Sequence, residues 1–92
     1  MDRSAAEMIA LRALAWLATD DELLGAFLGS SGISVAEIGA QAQEPHFLIA
    51  VLDFVTSDDA TVRAFCDAEG LRYEEPLTAR RAIPGGEDVH WT

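Results

Sequence analysis

Asp20, Asp21 and Glu22 are consecutive, and so are Asp58 and Asp59, which makes these two acidic turns the first candidates for chemistry. Calcium needs carboxylates at alternating positions of a loop with a central glycine and a closing glutamate. Here the carboxylates are adjacent and follow the hydroxyls of Thr19 and Ser57. They therefore read as helix starts, where negative charge meets the positive end of the helix dipole. His46, His90 and Cys66 are too few and too dispersed for a zinc site. The serines and threonines fall where caps and turns want them, and none stands in a glycine-flanked elbow that would present a nucleophile. A glycine-rich phosphate loop is also lacking. These residues assign no catalytic group, no metal and no cofactor.

Three side chains remain as candidates for contact rather than catalysis. Asp53 is the single carboxylate inside the apolar run from Phe47 to Val55. It reads as marking a narrow solvent-facing side, whereas burial without a partner would raise its pKa and make it a functional candidate. Trp16 and Phe54 read as core aromatics, but either one exposed at a groove would be a natural interface anchor. His46, close to a helix start, reads as half-buried packing, and the lone Cys66 as a small apolar group.

The elements that must position these residues follow from a self-similarity. A shift of thirty-eight residues lays Leu14 on Leu52, Asp20 on Asp58, Asp21 on Asp59, Ala26 on Ala64, Phe27 on Phe65 and Gly32 on Gly70. Trp16 then meets Phe54, and Thr19 meets Ser57. This pattern predicts two tandem helical repeats, residues 4–43 and 44–84, in a single compact all-α domain of about six short helices with approximate twofold symmetry. The domain would span residues 4–84, with 85–92 a flexible tail. Capping boxes at Ser4 with Glu7, Thr19 with Glu22 and Ser34 with Glu37 predict the first three helix starts. Ser57 is expected to cap the fifth helix, Pro45 to open the fourth and Pro76 the sixth. Gly32 and Gly70 should end helices in the left-handed conformation, with Ile33 and Leu71 folding back. The first and fourth helices are apolar on most sides, so they should lie packed together at the centre, with the second and fifth outside.

The charge balance narrows the partners. Sixteen acidic groups oppose six basic ones, all arginine, giving a net charge of −10. Such a surface repels phosphate backbones and anionic lipid and attracts basic protein patches. The stretch from Gly32 to Gly39 is similar to the opening helix of a helix-turn-helix reader. The helix after it, beginning at Pro45, brings no basic residue to a groove, and Arg63, Arg72, Arg80 and Arg81 are scattered over separate elements. No nucleic acid and no membrane are expected as partners. The apolar N-terminal run from Met8 to Ala18 is interrupted by Arg12 and preceded by Glu7, unlike a signal peptide or membrane span, and the single cysteine fits a reducing cytoplasmic compartment.

The helix from Ala5 to Ala18, the acidic turn, the glycine-terminated second helix, the Ala-Phe pair and the segment Pro45 to Val55 together resemble a family of short alphaproteobacterial proteins, domain of unknown function 3572. The resemblance covers about Ser4 to Pro84. It implies a bacterial cytoplasmic protein and brings no catalytic or ligand residues, because the matching motifs are structural. The resulting expectation is a non-enzymatic interaction module whose acidic exterior meets a basic or amphipathic protein segment, with self-association as a homodimer open. A small-ligand protein or enzyme with a site between the repeats, lined by Asp53, His46 or Arg12, is the alternative, followed by a divergent helix-turn-helix regulator.

Overall fold

The computed structural model describes residues 1–85. The chain forms α1 (Arg3–Ala18), α2 (Asp21–Ser31), a 3-10 turn (Val35–Glu37) running into α3 (Ile38–Gln41), α4 (Pro45–Thr56), α5 (Asp59–Glu69) and α6 (Glu75–Ala82). Its radius of gyration is 12.4 Å, against about 12 Å for one compact domain of this length. The all-α single domain is as expected. Most of the expected tail, residues 86–92 with His90, lies outside the described residues.

Carboxylates, not hydroxyls, start the principal helices. Asp2 caps α1 by accepting the Ala5 N–H at 2.7 Å, so Ser4 lies inside the helix and Glu7 pairs with Arg3 at 2.8 Å. Asp20 caps α2 through the Glu22 and Leu23 N–H groups, and Asp58 caps α5 through Thr61. The expected caps Ser4, Thr19 and Ser57 are each displaced. Thr19 and Ser57 instead close the preceding helix, donating their hydroxyls at 2.7 Å to the carbonyls of Trp16 and Phe54. The residue after each hydroxyl is extended and carries an acceptor with full charge, so it takes the first-turn N–H groups more strongly.

Gly32 and Gly70 end α2 and α5 at φ 75 and 70. The two endings differ in one bond. The Cys66 carbonyl accepts the N–H of both Gly70 and Leu71, the full Schellman pattern. The Leu28 carbonyl takes the N–H of Gly32 and the hydroxyl of Ser31, and the Ile33 N–H turns to that same hydroxyl. Glu37 closes the turn before α3, its Oε1 accepting both the N–H and the hydroxyl of Ser34 at 3.0 Å. Thirty-eight residues later Glu75 accepts the Arg72 N–H in the same way, and α6 starts with Pro76 at its second position rather than its first. Pro45 opens α4 as expected.

The core is built from Ala6, Ile9, Ala10, Ala13 and Leu17 of α1, Phe47, Leu48, Val51, Leu52 and Val55 of α4, Phe27, Phe65, Cys66, Ala79 and Ile83. Helices α1 and α4 do pack together, but α6 packs against both and completes a three-helix centre. Helix α2 rests on α1 and α4 from one side, and α5 rests on the same pair from the other. Helix α1 is not buried all round: Met8 is 58% exposed and Leu11 37%. Its buried positions recur every three to four residues, leaving one face to solvent.

Candidate interaction groove

The aromatic side chains link the two halves crosswise. Trp16 of α1 packs on Phe65 of α5 with ring centroids 5.5 Å apart, and Phe54 of α4 packs edge-on against Phe27 of α2 at 5.6 Å. Under the thirty-eight residue shift, each of these pairs becomes the other. Phe27 also meets Phe47 at 5.8 Å. Phe27 and Phe65 are fully buried, as expected, whereas Trp16 and Phe54 are half-buried.

The two seams built on these pairs end differently. Between α1 and α5, Arg12 spans the gap: its Nε donates to Glu69 Oε1 at 3.0 Å and its Nη2 to the Glu69 backbone carbonyl at 2.6 Å. A guanidinium at the last residue of α5 also suits the negative end of that helix. Between α2 and α4, the matching positions are Ala50 and Ser31. Neither side chain can bridge, and an open groove of about 440 Å³ remains, lined by Phe27, Ser30, Ser31, Ala50, Asp53, Phe54 and Ser57.

The groove lies where α2 and α4 both end. No basic residue occupies the last turn of either helix, so two negative dipole ends face it uncompensated from within. The Ser30 hydroxyl donates to the Phe27 carbonyl and the Ser57 hydroxyl to that of Phe54, which turns the rim hydroxyls back onto their own helices. Asp53 sits on the wall with its side chain 53% exposed, as expected for the solvent side of α4. It is paired with Arg80 of α6.

Of the three expected contact residues, the groove brings together Phe54 and Asp53. Trp16 lies on the closed seam with Arg12, and of Asp53, His46 and Arg12, the residues weighed for a site between the repeats, Asp53 alone lines the groove. His46 is exposed, not half-buried, because it faces outward in the first turn of α4, where Phe47 and Leu48 turn inward. Cys66 is buried and its thiol donates to the Arg72 carbonyl at 3.4 Å; burial first, then the nearby Glu75, Asp67 and Glu74 carboxylates, push its pKa up, opposite to a reactive cysteine. Arg63 pairs with Asp59 and stacks over Tyr73, Arg72 pairs with Glu74 and Arg80 with Asp53, so these three arginines of the second half are committed to separate acidic neighbours. Among the described residues no group of three or more histidine, cysteine, aspartate or glutamate side chains is placed to hold a metal. Among the described residues no single helix is long and apolar enough to cross a membrane.

Ser30, Ser31, Ala50 and Ser57 were not legible as groove residues from their own chemistry. The signal lay where the two halves disagree: arginine against alanine at positions 12 and 50, glutamate against serine at 69 and 31.

Over residues 3–86 the sequence matches the family described as protein of unknown function (DUF3572). No curated protein and no solved structure matches it.

Proposed function

Since the chain belongs to the DUF3572 family, whose description carries no activity, we propose from its own surfaces that it is a non-enzymatic protein-interaction module that docks a partner segment in the groove between α2 and α4. The observation that carries this reading is the difference between the seams: one is closed by Arg12 and Glu69, the other is left open over two aromatic rings. Phe54 supplies the half-exposed anchor on the partner-facing side, and buried aromatic contacts carry much of the energy of small interfaces. The net charge of −10 favours a basic partner and speeds encounter with it. The Ser30 and Ser57 hydroxyls are turned back onto their own helices and Asp53 is paired with Arg80, which supports docking over catalysis.

The test is to transplant the closure. The double substitution Ser31→Glu and Ala50→Arg writes the Arg12 and Glu69 pair into the open seam at two partly exposed positions, replacing no fully buried residue. Affinity capture with the native chain should recover a partner at low salt and lose it at high salt, and the closed variant should recover none while keeping its melting temperature within a few degrees. Equal recovery by both forms would remove the groove as the docking site.

A further inference from the structure

The closed seam shows what the open one lacks. At the end of α5, in the seam that also holds the Trp16–Phe65 pair, the Arg12 guanidinium donates to the carbonyl of the helix's last residue. At the end of α2, the corresponding carbonyl belongs to Ser31, the corresponding aromatic pair is Phe27 with Phe54, and the position that would supply the guanidinium is Ala50. We propose that the groove takes an arginine side chain of an amphipathic partner segment, seated as Arg12 is seated in the other seam. This rests on the reading of the groove as a docking site and names the chemistry that fills it.

Four features converge on a cation of this shape. Two helix C-termini face the groove with no basic residue in their last turns. The Asp53 carboxylate on the wall is half open to solvent even while paired with Arg80, and a carboxylate can accept from two guanidinium groups. The half-buried Phe54 ring on the groove wall offers an apolar surface against which a guanidinium packs better than an ammonium. The surrounding charge of −10 draws basic segments and repels acidic ones. The apolar side of the partner helix would lie along Phe54 and Ala50, with the arginine one turn away reaching Ser31.

The experiment titrates the isotope-labelled full chain with synthetic amphipathic peptides of about 14 residues, roughly four helical turns. Their apolar face is leucine and their polar face is arginine, lysine or glutamate in turn. The arginine peptide should shift the amide resonances of Ser31, Ala50, Asp53 and Phe54, and bind at least about fivefold tighter than the lysine peptide and tighter still than the glutamate one. Ala50→Arg should abolish that binding by occupying the seat from within. If this variant fails to fold, Asp53→Asn serves in its place and should weaken the arginine peptide about fivefold while leaving the glutamate peptide unchanged. Equal binding of the arginine and lysine peptides, or of all three, overturns the arginine assignment and leaves docking at the groove intact. Shifts located elsewhere, or binding by none of the peptides, overturn both readings.

Discussion

Across the seam between α1 and α5, Arg12 reaches the side chain and the backbone of Glu69, whereas across the seam between α2 and α4 the same two positions carry Ala50 and Ser31 and leave a groove. The aromatic pairs underneath are interchangeable under the thirty-eight residue shift, and so are the hydroxyl and carboxylate that link each pair of helices. The halves therefore share their scaffold and differ in what they place on its rim. A second difference lies in the third helices. Helix α6 buries Pro76 and Ala79, with Ile83 just beyond it, against α1 and α4. Helix α3 buries no residue, and Gln41, at the position matching Ala79, holds a side-chain oxygen that is buried without a partner. The two halves thus match in their aromatic pairs and helix junctions and differ at the rim of the seams and in the third helices.

The parallel between halves is most severely tested at the core. Phe27→Ala and Phe65→Ala should each cost about 3 to 5 kcal/mol in urea unfolding, by similar amounts, because both rings are fully buried in matching aromatic pairs. A large disparity would break the equivalence of the two scaffolds. The asymmetry of the third helices comes next. Ile83→Ala should cost about 3 kcal/mol and Ile38→Ala less than half of that, since Ile83 is fully buried and Ile38 only partly. Equal losses would mean that α3 is as firmly held as α6.

The smallest effect separates the turns that open α3 and α6. The hydrogen bonds from the Ser34 N–H and hydroxyl hold the Glu37 pKa below its ordinary value, against a slight opposing effect of desolvation. A carboxylate with a depressed folded-state pKa stabilises the fold above its unfolded pKa, and this contribution is lost as pH falls through the folded one. The protection factors of the amides at Val35 to Ile38, their exchange rates corrected for the intrinsic pH dependence, should therefore fall on acidification through the carboxylate range, and Glu37→Gln should flatten that dependence. A pH-independent protection factor there would show that the turn is held by its backbone alone.

Much of the fold was legible in the sequence because its signals are local. The glycines at positions 32 and 70 and Pro45 act within one helical turn, and the shift placed Phe27 and Phe65 in the core. The capping assignments missed by one or two residues because a hydroxyl next to a carboxylate has two uses, and only the backbone angles of the following residue decide between them. Helix α1 lies at the centre as expected but keeps an exposed face, because an apolar sequence does not say which side a neighbour covers; Met8 stays exposed. The site was half legible. Phe54 and Asp53 stood out by type, but Ala50 and Ser31 carry no chemistry of their own and matter by being smaller than Arg12 and Glu69.

The crosswise aromatic contacts set the terms on which this chain holds together. Each half lends one ring to the other, so neither half owns a closed core. The short connection between Gln41 and Pro45 is what makes their meeting intramolecular. A tether of that length raises the local concentration of one half around the other to the millimolar range. Were the backbone cut there, the same contacts would have to be made between two separate fragments, and the stability of the fold would become a function of how much protein is present.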